Sequence, residues 1–303
     1  MADSGLDRLI EALYGCVVEY PDPAVFRAAA LERLCAWCGA GAAAWLTQTA
    51  QGQQADFTHW RSSLEAAQVA AIACSSDRRW RELSPAADWL VDGRPAATAL
   101  ALRLVHRAMP LHSTVLLLFA GAPGVAGAAL QRALGHLVQA GSLSLLQLIQ
   151  RDQWLQSLGR PSRGCAALVD AQGRIVLASR RFFELLPDLG HTGDDPRLPF
   201  PLPAAVLAPG HGELDLDRLH VRMRRSGGLL LMHARRPHPL DALTPREQEI
   251  ARALAAGKTF KTIARDFDIA ISTVANHASR IYRKLGLFRR EELVGLLRQT
   301  AAA

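Results

Sequence analysis

The sequence predicts an α+β region, built of antiparallel sheets with helices, followed by an all-α domain of four helices. Three observations predict it. Apolar residues recur at helical spacing over residues 6–38, 62–80 and 127–158. Runs that alternate or stay apolar, bounded by glycine and polar turns, lie between these and again over residues 165–235. From Leu243 onward only helical spacing remains, cut by short turns. The expected divisions are residues 1–158, 159–236 and 237–303.

The first helices break near Pro21-Asp22-Pro23. Ala42–Thr47 and Asp56–Arg61 then flank the polar turn Gln51-Gly52-Gln53-Gln54, a hairpin. A helix is expected from Ser62 to Trp80, then two buried strands, Ala97–Arg107 and Ser113–Ala120. Gly127–Leu158 is a long amphipathic helix with Leu130, Leu134, Leu137, Leu145, Leu148 and Leu155, expected to serve as a dimerisation stalk. This order of elements resembles a GAF domain, a likeness of architecture and not of motif.

The next segment is smaller. Cys165–Asp170 and Arg174–Ala178 read as strands around Ala171-Gln172-Gly173, with a helix from Phe182 to Leu186. A proline-rich loop spans residues 187–209. Leu214–Arg225 and Leu229–Arg235 form a last hairpin about Ser226-Gly227-Gly228. The phrase LVDAQGRIVLASRRFFELL resembles the opening of a PAS domain, here abbreviated. Residues 236–240, with Pro237 and Pro239, make a short, stiff linker.

The C-terminal elements carry their own boundary signals. Thr244 and Glu247 are spaced as a capping box, with Pro245 at the first helical position. Gly257 suits a left-handed helix end, Thr259 a cap for the next helix, and Gly286 the end of the longest one. A short helix from Thr259 to Phe267, a turn over residues 268–271 and a helix from Ser272 to Leu285 make a helix-turn-helix. Leu243, Ile250, Leu254, Ile263, Phe267, Ile269, Val274, Ile281, Leu285, Leu293 and Leu296 form its expected core. On the longest helix Val274, Ala278, Ile281 and Leu285 face inward. Ser272, Asn276, Ser279 and Arg283 face the opposite side, where a helix lying in the major groove needs hydrogen-bonding groups.

The run LTPREQEIARALAAGKTFKTIARDFDIAISTVANHASRIYRKLGLFRREELVGLL closely resembles the LuxR-type (FixJ/NarL-type) helix-turn-helix domain of bacterial transcription regulators. Agreement falls on LTPRE, the glycine turn, Ile263-Ala264, Thr273-Val274 with Asn276-His277, and Arg283-Lys284-Leu285-Gly286. The resemblance implies double-stranded DNA as partner, a homodimer with the helix Arg290–Leu297 at its contact, and base-facing positions at Ala275, Asn276 and Ser279. Thr273, Ser279 and Arg280 join them as contacts to phosphates or bases, and Lys258, Thr259, Lys261, Ser272, Arg283 and Lys284 complete the expected DNA-binding set. The family usually reads Ser-Pro-Lys where Ala270, Ile271 and Ser272 stand, and often has lysine at Ala275. Two cations and a serine cap are therefore missing. That departure keeps a protein-interaction or anti-activator role as the alternative, with weak DNA binding.

Charge supports the DNA reading. Residues 1–210 hold 18 arginines, no lysine and 18 acids, so the formal excess of +7 lies beyond them, together with Lys258, Lys261 and Lys284. The absence of lysine before residue 211 also excludes a phosphoreceiver input, which needs one. A quorum-signal receptor's Trp, Tyr and Asp pattern is not found. No P-loop, GxSxG, HExxH or dinucleotide fingerprint marks an enzyme, and Asp194-Asp195 reads as a solvated turn. The apolar run Val115–Leu130 is too short and too glycine-broken to span a bilayer, and the start of the chain lacks a signal-peptide layout, so a cytoplasmic protein is expected.

Sensor domains of GAF or PAS type hold small ligands between sheet and helices, which makes Trp45, Phe57, Trp60, Trp80, Trp89 and His106 candidate walls of a pocket; such rings more often serve as core or dimer-interface residues. His59, His106, His112 and His136 lie in no haem pattern. Cys35 and Cys38 form a lone CxxC inside a helical pattern, which reads as buried thiols. No cofactor or metal is expected.

Overall fold

Strand β1 (Ala42–Thr49) shows why a sheet covered on both faces forms here. Ala43 and Trp45 point into one apolar core, while Ala42, Ala44 and Leu46 point into another. The computed structural model describes residues 2–72, 81–157, 164–189, 195–203, 211–216, 219–237 and 239–302. They divide into two units: residues 1–152, 166–213 and 222–233 form the first, and residues 153–165, 214–221 and 234–303 the second.

The first unit opens with helices α1 (Ala2–Glu19) and α2 (Pro23–Cys38). Asp22 caps α2 by accepting from the Ala24 amide at 2.8 Å, and Gly39, at φ +77°, ends it. After β1 come β2 (Gln54–Trp60), α3 (Ala66–Ala70), β3 (Arg81–Leu83), the ribbon β4 (Leu90–Val91) and β5 (Arg94–Pro95), β6 (Thr98–Val105), β7 (Leu111–Phe119) and α4 (Gly127–Ser157). The sheet runs β2-β1-β7-β6-β3 with antiparallel neighbours. Every residue of the central strand β7 is buried, because helices α1, α2 and α4 cover one face and α3 with the ribbon covers the other.

Two expectations change. Among the described residues of 62–80 the expected helix covers Ala66–Ala70; residues 73–80, with Trp80, lie outside the described residues. Strands β3 to β5 are two or three residues long, too short to leave a periodic signal. The proposed dimerisation stripe of α4 is also corrected. Leu130, Leu134, Leu137 and Leu148 are buried within their own chain, where they pack on the sheets, so these four are not free to face a second copy; the side chain of Leu155 lies outside the described residues.

A polar chain runs through the helix-covered face. Arg27, 5% exposed, lies with its guanidinium 3.8 Å over the Trp45 ring. It donates to Thr58 Oγ1 and Thr47 Oγ1 at 2.9 Å and to Trp45 O at 2.6 Å, and pairs with Asp56 at 3.4 Å. Trp45 Nε1 donates to Ser113 Oγ at 2.9 Å, Thr47 Oγ1 lies 2.8 Å from it, and His106 Nε2 lies 2.9 Å from it. His106 Nδ1 lies 2.8 Å from Ser142 Oγ, which donates to Val138 O at 3.1 Å. With a neutral imidazole every contact is satisfied if Ser142 accepts from His106 Nδ1–H, Ser113 donates to Nε2 and Thr47 donates to Ser113. Burial first, then the charge of Arg27, lowers the His106 pKa to about 4, which keeps the ring neutral.

The smaller module has strands β8 (Cys165–Val169), β9 (Ile175–Ala178), β10 (His211–Leu216), β11 (Leu219–Ser226) and β12 (Leu229–Arg235), in the order β10-β11-β12-β8-β9, with helix α5 (Arg180–Leu185). Asp170 Oδ1 organises the β8–β9 turn by accepting from the Gln172 and Arg174 amides at 2.9 and 2.8 Å, and Gly173 takes φ +77°. The single strand expected over Leu214–Arg225 is in fact the end of β10 and most of β11. Within the first unit this module shares a core with the larger sheet: Ala166, Leu168, Val176, Leu229 and Leu231 pack with Ala55, Met109, Leu111, Leu148 and Ile149.

The turn between β11 and β12 sits on a bulge. Thr47 faces Asp56 but Gln48 faces Gln54, so Ala55 is the extra residue on edge strand β2. Its carbonyl accepts from the Gly228 amide at 2.8 Å. A Cβ at Gly228 would lie 1.9 Å from Gln54 O, and one at Gly227, whose φ is +62°, would lie 2.8 Å from Ala55 O. The two glycines are what lets this turn approach. Among the described residues no helix is long and apolar enough to cross a membrane.

Candidate nucleic-acid interface

Four helices of the second unit carry the expected DNA face: α6 (Pro245–Ala255), α7 (Phe260–Asp266), α8 (Ile271–Leu285) and α9 (Arg290–Ala302). The capping box at α6 is formed. Thr244 Oγ1 accepts from the Glu247 amide at 3.3 Å, and Glu247 Oε2 accepts from the Thr244 amide at 2.9 Å. Thr259 caps α7 by accepting from the Thr262 amide at 3.2 Å. Gly257 and Gly286 take φ +89° and +65° at the helix ends.

Leu240, Leu243, Ile250, Leu254, Ile263, Val274, Ile281 and Leu293 form the core, with Phe267, Ile269 and Leu285 packed at its edge. Arg246 fastens α6 to the turn before α8: it donates to Phe267 O at 2.9 Å and lies 4.5 Å over the Phe267 ring. Arg290 donates to Leu254 O at 2.8 Å and to Lys258 O at 2.9 Å, tying α9 to the end of α6. The missing serine cap is visible at α8, where Ala270 gives the helix no side-chain acceptor.

Helix α8 divides cleanly. Val274, Ala278 and Ile281 are buried, whereas Ser272, Asn276, Ser279, Arg280 and Arg283 are exposed. Thr273 and Ala275 are half-buried beside that face. A 15-residue helix with one apolar and one hydrogen-bonding stripe, carried on a rigid helical core, can present its polar stripe to base edges.

The three lysines differ. Lys261 is exposed and, among the described residues, makes no ion pair. Lys258 is held by Asp266 at 2.7 Å, which lowers the Asp266 pKa. Lys284 reaches Glu247 Oε2 at 2.6 Å, 37 positions away, so it acts first as the partner of a carboxylate that is only 5% exposed. The Lys284 hydrogen bond, then the Thr244 amide, lowers the Glu247 pKa to about 2. A depressed carboxylate contributes stability above its ordinary value of 4.5, and that contribution is lost as pH falls toward 2. Lys284→Met should therefore cost the helical domain about 1–2 kcal/mol at neutral pH, by stranding Glu247. Urea titrations followed by far-UV circular dichroism at pH 7 and pH 3.5 would show it: the gap between variant and wild type should narrow at the lower pH. An equal gap at both would mean that the pair does not act through this charge.

The candidate pocket residues do not converge. Trp45, Trp60 and His106 lie against the helix-covered core, and Phe57 and Trp89 against the core on the opposite face of the sheet. Arg27, Ser113 and Ser142, which the sequence analysis did not single out, join Trp45 and His106 in the polar chain described above. Beside them lies a cavity of about 20 Å³, lined in part by Arg27, Thr47, Asp56, Ser144 and Ser226, with room for one water. Cys35 and Cys38 are free and buried, and burial pushes both thiol pKa values up, which makes them inert core residues.

Comparison with known proteins places the helical domain. A family model described as bacterial regulatory proteins, luxR family, matches residues 241–297. No curated protein matches the chain. Among solved structures, a phage VqmA in complex with DPO shares 16% identity over 50% of this chain and 92% of that one, with a TM-score of 0.20. The Vibrio cholerae VqmA dimer in the absence of target DNA shares 16% over 50% and 87%, with a TM-score of 0.18. The E. coli DhaR(N)–DhaL complex shares 11% over 76% and 87%, with a TM-score of 0.23. At such scores the architecture rests on the strands and helices themselves. The formed capping box, the helix-turn-helix core and the family match agree: residues 241–297 are a helix-turn-helix domain of the luxR family of bacterial regulatory proteins.

Proposed function

We propose that the chain is a cytoplasmic transcription regulator, homodimeric on DNA, whose modules at residues 1–158 and 159–236 receive a small-molecule or protein signal and control the reader at 237–303. The observation that carries this reading is the exposed stripe Ser272, Asn276, Ser279 and Arg283, backed by the buried stripe Val274, Ala278 and Ile281. Asn276 is the residue for adenine, since its amide can donate to and accept from that base in the major groove. Arg280, Arg283 and Lys261 supply charge to phosphates. Two copies would read the halves of a roughly palindromic operator.

Fluorescence anisotropy of the full chain tests it, on DNA from upstream of its own gene and on a scrambled duplex, at low and near-physiological salt. Selective binding is expected. Asn276→Ala should remove about 1–3 kcal/mol of the preference, whereas Arg283→Ala should weaken binding to both duplexes and reduce the salt slope by about 1. Unchanged selectivity in Asn276→Ala would show that the stripe does not face bases. Absence of binding at low salt would overturn the DNA reading in favour of a protein-interaction role, which Ala270 and Ala275 make chemically intelligible.

A further inference from the structure

The first unit holds a groove of about 470 Å³ between α1, the end of β6 and α4, within the roughly 300–1,000 Å³ of small-molecule sites. Tyr14 lines it from α1, Leu104, Val105, His106 and Arg107 from β6 and the turn after it, and Arg132, Gly135, His136, Val138 and Gln139 from α4. Its cationic side is unbalanced: no carboxylate lines the groove, and among the described residues Arg107 and Arg132 make no ion pair. Burial and then the Arg132 charge lower the His136 pKa, so that ring stands neutral beside the arginine. Tyr14 Oη lies 3.1 Å from His136 Nδ1, with the rings edge to face at 5.8 Å, which fixes one wall. The floor is apolar. Leu104 and Val138 are buried, and Val105 is left 57% exposed.

Gly135 leaves the backbone of α4 bare toward the groove: a Cβ there would meet no atom within 4 Å, as at the helical positions Gly15 and Gly295. A larger side chain at this position would therefore project into the groove without disturbing the helix packing.

We propose that this groove binds a small organic anion, with its apolar body on Leu104, Val105, Val138 and the Gly135 backbone and its charged end between Arg107 and Arg132. This deepens the sensor reading above by giving the signal a chemical class and a place on the helix-covered face. The polar chain runs beside that place, because His106 is among the lining residues and its ring is bonded to Ser113 and Ser142.

The test is fluorescence titration of the full chain, without DNA, using 1-anilinonaphthalene-8-sulfonate as the anionic probe and N-phenyl-1-naphthylamine as its neutral counterpart. Saturable binding of one sulfonate per chain is expected, with the neutral probe weaker by about tenfold or more. Arg107→Gln with Arg132→Gln should lower sulfonate affinity about tenfold, and Gly135→Met, which fills the groove with a good helix former, should do the same while thermal stability holds or rises. No saturable binding to wild type, equal binding of the neutral probe, or unchanged affinity in either variant overturns the proposal. Because DNA is absent, failure here leaves the reading of α8 to its own test.

Discussion

Arg27→Met should lower the stability of the first unit by about 3–5 kcal/mol, the usual cost of removing one partner from a buried charged network. The size follows from what the guanidinium serves. It gives Thr47, Thr58 and the Trp45 carbonyl their donor, and it lies beside Asp56. Burial lowers the Arg27 pKa to about 10, so the group is still charged at neutral pH and its interactions are charge-assisted. Methionine fills much of the volume over the Trp45 ring and offers no N–H. Arg27→Lys should recover little, because an ammonium cannot reach three acceptors in the plane of the fork. Urea unfolding followed by tryptophan fluorescence would report it directly, with Trp45 in contact with the changed side chain. A loss below about 0.5 kcal/mol in Arg27→Met, the scale of an ordinary surface change, would mean that the polar chain does not depend on this residue.

Gly228→Ala should be the next most damaging change, about 1–3 kcal/mol, although it adds a single methyl group. The added carbon would lie 1.9 Å from Gln54 O and 3.0 Å from Gln54 C, both backbone atoms that no rotamer change can move aside. The turn must lift from β2, and the Gly228 to Ala55 hydrogen bond is lost with it. Amide hydrogen exchange locates the effect: peptides covering residues 54–56 and 226–229 should exchange faster in the variant, while the helices of residues 245–285 should not change. Equal exchange at the turn would show that the two glycines do not hold it there.

The reach of the sequence is uneven for reasons that particular residues show. Local signals survived intact. Thr244 and Glu247 cap α6, Gly257 and Gly286 end their helices, and the inward residues Val274, Ala278 and Ile281 are buried, because each depends on neighbours within about two turns of chain. Lys284 was legible as a cation and not as the partner of Glu247, since the pairing crosses from one helix to another. The α4 leucines looked like a dimer seam because periodicity reports that a stripe is covered, not by what.

The candidate pocket walls divide between the two faces of the sheet for another reason. Trp45 and Phe57 sit on facing strands, and counting inward from the Gln51–Gln54 turn would give their faces if pairing were regular. The extra residue Ala55 shifts the count by one and with it the face of every residue beyond. A bulge of that kind leaves no mark in composition. Arg27 was invisible for the opposite reason. An arginine in a helix reads as surface, and only the third dimension brings Thr47, Thr58 and Asp56 around it.

The end of β12 has a mechanical consequence. Arg235 grips Asp241 through two parallel contacts, at 2.6 and 2.9 Å, at the entrance to the helical domain. Prolines such as Pro237 and Pro239 fix φ at two positions of the intervening chain. A planar two-point grip resists rotation, because turning one end about the other breaks one contact before the other. The second unit therefore ties the end of its last strand to the turn that opens its helices at two points rather than one.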